Sequence, residues 1–258
     1  MALEQPVVYW RESWQQPRPV QFHFLRVDLK NAAYEVIAMV AEDPDGDGPA
    51  EAQLTSPVEL AQRHRAAAAV NANAFRALSN TDGKADTKWF GGKPVDIVGV
   101  AVSGHVVRSW TEKERDSFWI DGSGTAHIGN PVDKLAVAQG VSDWGSRLLV
   151  DGKSSIATNA PIHPRTLLGL DKDARFLLLA VADGRQPGYS EGISLLEAAE
   201  VMKEHGCHNA INLDGGGSSI MVISDGERLK VVNRPPADPR PIPVMLGIRR
   251  ASEARRRP

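Results

Sequence analysis

Short apolar runs separated by turn residues recur along the whole chain, which is the pattern of a protein rich in β-strands. Apolar-rich segments at residues 22–29 and 34–41 flank a polar Lys30-Asn31 turn. Asp-Gly and Ser-Gly pairs follow other runs, and both pairs tolerate the positive φ angles of tight turns. We therefore expect hairpin turns at Ser103-Gly104, Asp121-Gly122, Asp151-Gly152 and Asp225-Gly226.

Two helices carry start signals. Ser56-Pro57-Val58-Glu59 combines an N-cap, a first-turn proline and a capping-box glutamate, which predicts a helix to about Arg65. Ser194-Leu195-Leu196-Glu197 repeats the box, and Gly206 is the predicted stop. Each helix leads into an apolar run, residues 66–70 and 210–213, and a third buried run spans residues 175–182.

Strands outnumber helices and do not alternate with them, so a Rossmann or barrel plan is disfavoured. We expect an α+β fold in a single domain, with a mixed or antiparallel sheet and a few packed helices. The domain is predicted to span residues 21–250. An N-terminal extension (residues 1–20) precedes it, and a basic tail (residues 251–258) follows it.

The whole-chain numbers exclude several classes. The chain has 258 residues and a net charge of −2, so no nucleic-acid partner is expected. Its single cysteine, Cys207, excludes an intrachain disulfide. No run reaches the ~18 apolar residues of a membrane span, and the first residues are not a signal peptide. We expect a cytoplasmic protein, or a secreted or periplasmic one if a signal peptide was removed.

The segment Asn212-Leu213-Asp214-Gly215-Gly216-Gly217-Ser218-Ser219 lies between two apolar runs. Three successive glycines cost backbone entropy and leave space free of side chains, so something approaches the backbone closely there. A carboxylate, accessible N–H groups and two hydroxyls suit an oxygen-rich ligand such as a sugar or a phosphate ester. A Walker loop is excluded because no lysine follows Gly217, and a dinucleotide fingerprint is excluded because Gly217 opens a strand.

Polar residues follow the ends of all three buried runs, and we expect these ends to meet in one site. Asn71 and Asn73 follow the first run, Asp183 and Glu191 the second, and Asp214 the third. A separate element, His163-Pro164-Arg165-Thr166, offers a guanidinium that matches phosphate or carboxylate oxygens.

Metal signals are weak. Asp43, Asp45 and Asp47 resemble the front half of a calcium loop, but Leu54 stands where a bidentate glutamate is needed, so we interpret the segment as an acidic turn. His205-Gly206-Cys207-His208 lacks a fourth zinc ligand, and Cys207 is interpreted as a buried thiol. No cofactor is expected to be required, with structural calcium the one alternative.

Several separated motifs together resemble the phosphodiester glycosidase family. The resemblance lies in residues 211–219, in Asn71-Ala72-Asn73-Ala74-Phe75, in the Pro-Arg-Thr element, in residues 183–195 and in Asn233-Arg234-Pro235. In order, these motifs cover roughly residues 20 to 250. This chain departs from the family pattern at Ala72 and Asn73, where glycines are usual, and at Ile220, where threonine is common.

The resemblance implies hydrolysis of a sugar joined through its anomeric carbon to a phosphodiester, N-acetylglucosamine or a related hexose on an envelope or exopolysaccharide glycan. On this hypothesis Arg165 and the N–H groups of Gly215–Gly217 bind phosphate. Asp214 and Asp183 are the base or nucleophile, with Glu191 in reserve. The predicted substrate-binding residues are Asn71, Asn73, Thr166, Asn212, Gly215, Gly216, Gly217 and Ser218.

Two other classes stay open. A non-catalytic glycan-binding module would use the same asparagines and glycines, and six tryptophans include possible stacking surfaces (Trp10, Trp14, Trp89, Trp110, Trp119 and Trp144). A phosphodiesterase cutting the P–O bond would normally want metal ligands, and the sequence shows no histidine–aspartate cluster at metal spacing.

Overall fold

The computed structural model describes residues 6–78, 88–111, 113–158 and 161–251. Within these residues antiparallel sheets dominate and there are two α-helices, so the α+β prediction is wrong. Each of the two helix start signals in the sequence precedes one short α-helix. Nearly all of the remaining regular structure is strand.

The helices are α1 (Pro57–Arg63) and α2 (Leu195–Glu204). The strands in chain order are β1 (Val7–Trp14), β2 (Val20–Asp28), β3 (Tyr34–Val40), β4 (Ala52–Gln53), β5 (Ala68–Asn71), β6 (Phe75–Ala77), β7 (Pro94–Ile97), β8 (Ala101–Ser103), β9 (Val106–Ser109), β10 (Ser117–Asp121), β11 (Ala126–Gly129), β12 (Val137–Ser142), β13 (Ser146–Val150), β14 (Lys153–Ser154), β15 (Arg165–Leu170), β16 (Phe176–Ala182), β17 (Asn209–Asn212), β18 (Met221–Ser224), β19 (Leu229–Val231) and β20 (Val244–Arg250).

Four sheets organise the described strands. A seven-stranded sheet has the order β1-β2-β16-β15-β17-β13-β14, and a five-stranded sheet has the order β19-β18-β5-β20-β3. A second five-stranded sheet has the order β11-β10-β12-β8-β9, and a three-stranded sheet has the order β4-β7-β6. Residues 7–14, placed by the sequence in an N-terminal extension, form β1 and pair along their full length with β2.

The seven-stranded sheet is apolar on both faces because it separates two cores. In β16, Leu177, Leu179 and Val181 enter the main core, which the β5 and β20 sheet also lines. The alternate residues of β16 face a second core beneath α2. Such burial on both faces explains why this strand is a continuous apolar run in the sequence rather than an alternating one.

Most of the predicted local elements are present. Helix α1 has the predicted proline in its first turn, but the Ser56 side chain makes no capping hydrogen bond, and the helix ends at Arg63 rather than near Arg65. Helix α2 begins at a complete capping box, in which Ser194 and Glu197 bond reciprocally to each other's backbone N–H groups. The four predicted Asp-Gly and Ser-Gly turns join paired strands: β8 with β9, β10 with β11, β13 with β14 and β18 with β19. Strands β2 and β3, which flank Lys30-Asn31, lie in different sheets.

Strand β15 brings the predicted strand ends together, because it lies between the other two strands. Strands β16 and β17 both pair antiparallel with β15, so they run in the same direction and end at the edge where β15 begins. Asp183 follows β16, Asp214 follows β17, and Arg165 opens β15. Strand β5 belongs to the other sheet, yet its last residue, Asn71, contacts the same edge.

Candidate active site

Asn71 joins the two main sheets at this edge. Its Nδ2 donates to the carbonyl oxygen of Asp214 at 2.7 Å, and its Oδ1 accepts from the Thr166 hydroxyl at 2.7 Å and from the Ile220 N–H at 3.0 Å. The Asp214 N–H in turn donates to the Ala72 carbonyl at 2.9 Å. Both buried side chains, Asn71 and Thr166, are therefore committed to protein partners, and together they fix the backbone of the glycine segment.

The carboxylate of Asp214 occupies a half-buried position that favours its neutral form. Burial raises its pKa from 3.8 to about 6. The Ser218 hydroxyl, the Arg240 guanidinium and the Gly215 N–H oppose this rise because each stabilises the charged carboxylate. Asp214 can thus gain or lose a proton near neutral pH, which is the property required of a catalytic acid or base.

Three arginines lie beside the glycine triplet, and two of them, Arg185 and Arg240, occupy space that a side chain on the neighbouring glycine would need. A methyl group on Gly216 would lie 3.1 Å from Nη2 of Arg185, and one on Gly217 would lie 2.5 Å from Nη2 of Arg240. A methyl group on Gly215 would lie 3.8 Å from Cδ of Arg165 and 2.9 Å from the Pro164 carbonyl oxygen. Gly216 and Gly217 therefore let guanidinium groups of the protein itself approach the backbone, whereas the sequence predicted an oxygen-rich ligand close to this segment.

None of these three guanidiniums forms an ion pair with a carboxylate in the described part of the chain. Arg165 is buried and donates to the carbonyl oxygens of Ile193 (3.3 Å) and Pro161 (3.0 Å). Arg185 contacts Nδ1 of His163 at 3.4 Å. Burial and the nearby charge of Arg185 lower the pKa of Arg165, so these two positive charges lie close together. Asp214, which interacts with Arg240, supplies one negative charge beside the three arginines.

Fewer backbone N–H groups of the triplet are available to bind phosphate than the sequence predicted. Gly216 donates its N–H to the Pro164 carbonyl at 2.8 Å, and the Gly215 N–H interacts with the Asp214 carboxylate. Two of the three predicted phosphate-binding N–H groups therefore have protein partners. The positive character of the site comes mainly from guanidiniums.

Asp183, the second predicted catalytic carboxylate, is buried in a dense set of donors. Its Oδ1 accepts from Asn233 Nδ2 at 2.9 Å, and both oxygens accept from the Arg234 N–H at 3.1 and 3.0 Å. The Tyr189 hydroxyl donates to Oδ2 at 3.3 Å, and His23 Nε2 lies 3.6 Å from the same oxygen. This carboxylate organises the chain around it.

Three further residues predicted for the site, Ser218, Asn73 and Glu191, contact other groups of the protein. The Ser218 hydroxyl is buried and accepts from Arg240 Nη1 at 3.4 Å. Asn73 donates to the carbonyl oxygens of Val98 and Val100, both at 2.9 Å, which ties it to the strand connection beside the site. Glu191 pairs through its backbone with Arg185.

Three buried polar atoms at this edge have no hydrogen-bond partner among the described residues. They are Oδ1 of Asn73, Oδ1 of Asn212 and Oγ of Ser219. An unpaired buried polar atom costs about 1–3 kcal/mol of folding free energy. We therefore expect these three atoms to be retained for a function other than stability.

The sequence reasoning missed Arg185 and Arg240 as site residues, and it missed Asn233 as a support. Asn233 Nδ2 bridges Asp183 and the Ser219 carbonyl, and its Oδ1 accepts from Met221. Arg185 and Asn233 lie inside segments that the sequence already singled out. Arg240 carried no signal of its own, because only folding brings it beside Gly217.

The carboxylates of the predicted acidic turn, for which calcium was the alternative, contact groups of the protein. Asp43 forms an ion pair with Arg108 at 2.7 Å, and its other oxygen accepts the N–H groups of Asp45 and Gly46. Asp45 accepts from the Ala50 N–H at 3.2 Å. Across the described ranges, no three histidine, cysteine, aspartate or glutamate side chains are grouped to hold a metal ion. Cys207 is a buried free thiol.

Comparison with known proteins identifies the family of the chain. A family model described as phosphodiester glycosidase matches residues 64–249, which is most of the chain and includes Asp183, Asp214 and the three arginines beside the glycine triplet. The chain belongs to the phosphodiester glycosidase family. The site therefore lies within the part of the chain that defines this family.

The relatives of this chain are distant. A SPbeta prophage-derived uncharacterized protein, YomE, of Bacillus subtilis is 28% identical over 194 residues, covering 68% of this chain and 28% of its own length. The N-acetylglucosamine-1-phosphodiester α-N-acetylglucosaminidase of Mus musculus is 42% identical over 60 residues, covering 23% of this chain and 11% of its own. The chain thus spans under a third of either relative.

The fold is also that of a solved family member. The catalytic domain of the zebrafish N-acetylglucosamine-1-phosphodiester α-N-acetylglucosaminidase superposes with a TM-score of 0.68 and 21% identity. The match covers 96% of this chain and 85% of the zebrafish chain. Neither described helix has the length and apolarity needed to span a bilayer.

Proposed function

We propose that this phosphodiester glycosidase hydrolyses the bond between the anomeric carbon of a sugar and a phosphodiester, with N-acetylglucosamine or a related hexose as the sugar. The observation that carries the proposal is the arginine cluster (Arg165, Arg185 and Arg240) lying against Gly215–Gly217 beside Asp214. Three guanidiniums beside the single carboxylate of Asp214 leave an excess of positive charge, which creates a site for an anion with several oxygens. The mouse relative's name supplies the same substrate class.

The arrangement separates two tasks. The arginine cluster binds the phosphate and stabilises the charge that develops on its bridging oxygen when the bond breaks. Asp214 acts at the anomeric carbon, either as the base that takes a proton from attacking water or as the nucleophile. Both roles require the ionised carboxylate, so a pKa of about 6 keeps the group active at neutral pH.

In the overall reaction, water adds to the anomeric carbon and the bond from that carbon to the phosphate oxygen breaks. The bonding electron pair leaves with the phosphate, which departs as an anion within the arginine cluster. Because a phosphate is already a weak base, the leaving group needs little protonation. This explains why one well-placed carboxylate and three cations form a sufficient site, and why Asp183 is free to serve as a positioning residue.

Support for the site comes from residues behind it. Asp183 holds Asn233, which in turn holds the backbone at Ser219 and Met221 on the far side of the glycine triplet. Asn71 holds the near side through the Asp214 carbonyl. Because both ends of the segment are fixed to different strands, the carboxylate and guanidiniums are positioned before substrate arrives. The spare acceptor of Asn212 is suited to a sugar hydroxyl.

Product identification tests the proposal. The protein is incubated with the methyl phosphodiester of N-acetylglucosamine-1-phosphate, and products are separated by anion-exchange chromatography. Free sugar with methyl phosphate is the expected result, and Asp214→Asn should abolish its formation while Leu135→Ala, an exposed change just before β12, leaves it unchanged.

Two outcomes contradict the proposal. Sugar phosphate with methanol would identify a phosphodiesterase instead. Retained binding without turnover, across a panel of sugar-1-phosphodiesters, would identify a glycan-binding module.

A further inference from the structure

The imidazole of His163 lies against the arginine cluster, and the reaction described above gives it no role. Its Nδ1 is 3.4 Å from Nη2 of Arg185, whose guanidinium lies beside Gly216. A guanidinium has N–H donors and no acceptor, so Nδ1 of His163 accepts in this contact. An imidazole whose Nδ1 accepts a hydrogen bond is neutral and carries its proton on Nε2.

Backbone contacts hold His163 in this place. Its N–H donates to the Ile193 carbonyl at 3.1 Å, and its own carbonyl accepts from the Ile193 N–H at 3.0 Å. A methyl group on Gly192, whose φ is +101°, would lie 2.6 Å from the same carbonyl oxygen. The next carbonyl, of Pro164, accepts the Gly216 N–H at 2.8 Å. A change of the His163 side chain therefore leaves the segment and its contact with the glycine triplet in place.

The charges around His163 favour its neutral form. Burial and the guanidiniums of Arg185 and Arg165 lower its pKa below the usual range, whereas its partners Gly192 and Ile193 carry no titratable group. An anion bound to the arginines would oppose the same positive charges and favour the imidazolium. Anion binding and protonation of His163 should therefore strengthen each other, because such linkage is reciprocal.

We infer that His163 is a further phosphate-binding residue, which takes up a proton from solvent at Nδ1 when a dianionic phosphate monoester binds to the arginine cluster. This inference rests on the proposed function, because that reaction converts a singly charged phosphodiester into a monoester with a second negative charge. Protonation of Nδ1 ends the hydrogen bond from Arg185, and the freed N–H of Nη2 donates to a phosphate oxygen. The site thus gains one positive charge and one donor for its doubly charged product.

The test measures proton uptake on anion binding, with inorganic sulfate as the probe. Sulfate is a tetrahedral dianion like the phosphate monoester, and its own protonation does not change between pH 6 and pH 8. Asp214→Asn is the background for all variants, because Asp214 has a pKa of about 6 and would otherwise contribute to the proton change. Isothermal titration calorimetry at pH 7, in buffers of different ionisation enthalpy, gives the number of protons taken up per sulfate.

His163→Asn is the informative variant in this background. The asparagine oxygen can accept from Arg185 as Nδ1 does, but it cannot take up a proton. His105→Asn is the matched control. His105 is exposed at the turn between β8 and β9, and its φ of +66° is a conformation that asparagine tolerates.

The background protein should take up a clear fraction of a proton per sulfate. Its sulfate affinity should rise as the pH falls from 8 to 6, with a limit of about tenfold per pH unit for one full proton. His163→Asn should abolish both the uptake and the pH dependence, while His105→Asn should change neither. Sulfate binding by the His163→Asn protein at pH 8 would show that the variant is folded and that its arginines are in place.

Equal proton uptake with and without His163, or no uptake in the background protein, would overturn the inference. Failure of sulfate to bind to the background protein would overturn it as well. In each case, release of free sugar by the wild type would leave the proposed function standing. Conversely, uptake that depends on His163, in a protein whose wild type releases no free sugar, would support His163 as an anion-binding residue and refute the proposed function.

Discussion

Replacing Asp214 by asparagine should stabilise the protein at neutral pH while abolishing its activity. Burial raises the pKa of Asp214 from 3.8 to about 6, so the folded state holds the proton more tightly than the unfolded state. Below pH 4 the carboxyl is neutral in both states and carries no penalty. As the pH rises from about 4 to 6, the unfolded state releases the proton first, and the wild type loses stability.

The size of the effect follows from the pKa values. One pKa unit corresponds to about 1.4 kcal/mol, so a rise from 3.8 to about 6 amounts to about 3 kcal/mol above pH 6. This is an upper bound, because a half-buried carboxylate is partly solvated and asparagine changes the local hydrogen bonds. Asp214→Asn should recover most of it at pH 8 and none of it at pH 3.5.

Urea denaturation of both proteins at pH 3.5 and pH 8, followed by tryptophan fluorescence, measures the difference in free energy of unfolding. Asp225→Asn is the matched control with the opposite sign, since Lys230 and backbone N–H groups lower the pKa of this exposed carboxylate. That control should lose stability at both pH values, because the lowered pKa keeps the folded carboxylate charged at pH 3.5 as well as at pH 8. A stability difference for Asp214→Asn that is independent of pH, or a loss at pH 8, would refute the account of this carboxylate.

Three further predictions follow from the site. The kcat/KM of the wild type should rise with pH around a midpoint of about 6 as Asp214 ionises, and a flat profile from pH 5 to 7 would exclude its ionisation from the reaction. Gly217→Ala should lower kcat/KM about tenfold or more because its methyl displaces Arg240, whereas Gly91→Ala, which meets open space, should not. Asp183→Asn should destabilise the fold by roughly 3 kcal/mol in urea denaturation, since one oxygen that accepts hydrogen bonds becomes a donor; unchanged stability would contradict its supporting role.

Local structure could be predicted from the sequence wherever one short segment determines it. The capping box at Ser194 and the Asp225-Gly226 turn act within a few residues, so their outcome hardly depends on the rest of the chain. The fold class was mispredicted because helix signals are strong per residue, whereas strand number depends on pairing between distant segments. Thus β2 and β3, adjacent in sequence, lie in different sheets.

Part of the site could be predicted from the sequence for the same reason. The glycine triplet and Asp214 are contiguous, and their cost to the backbone revealed that something lies close to them. The sequence did not predict that arginines lie there, because only folding brings Arg240 close to Gly217. Similarly, Asn71 was predicted to touch sugar, but its amide bonds Asp214, Thr166 and Ile220 instead. A polar side chain at a strand end can bind a ligand or hold the backbone, and sequence does not separate these uses.

The most direct test of the arginine cluster and Asp214 as a glycosidase site is the fate of solvent oxygen. Hydrolysis of the methyl phosphodiester of N-acetylglucosamine-1-phosphate in ¹⁸O-labelled water, followed by mass spectrometry, identifies the bond that is cut. Attack at the anomeric carbon predicts one ¹⁸O atom in the released sugar and none in the methyl phosphate. Label in a phosphate product would mean that the P–O bond breaks, and would contradict the assignment of Asp214 to the anomeric carbon.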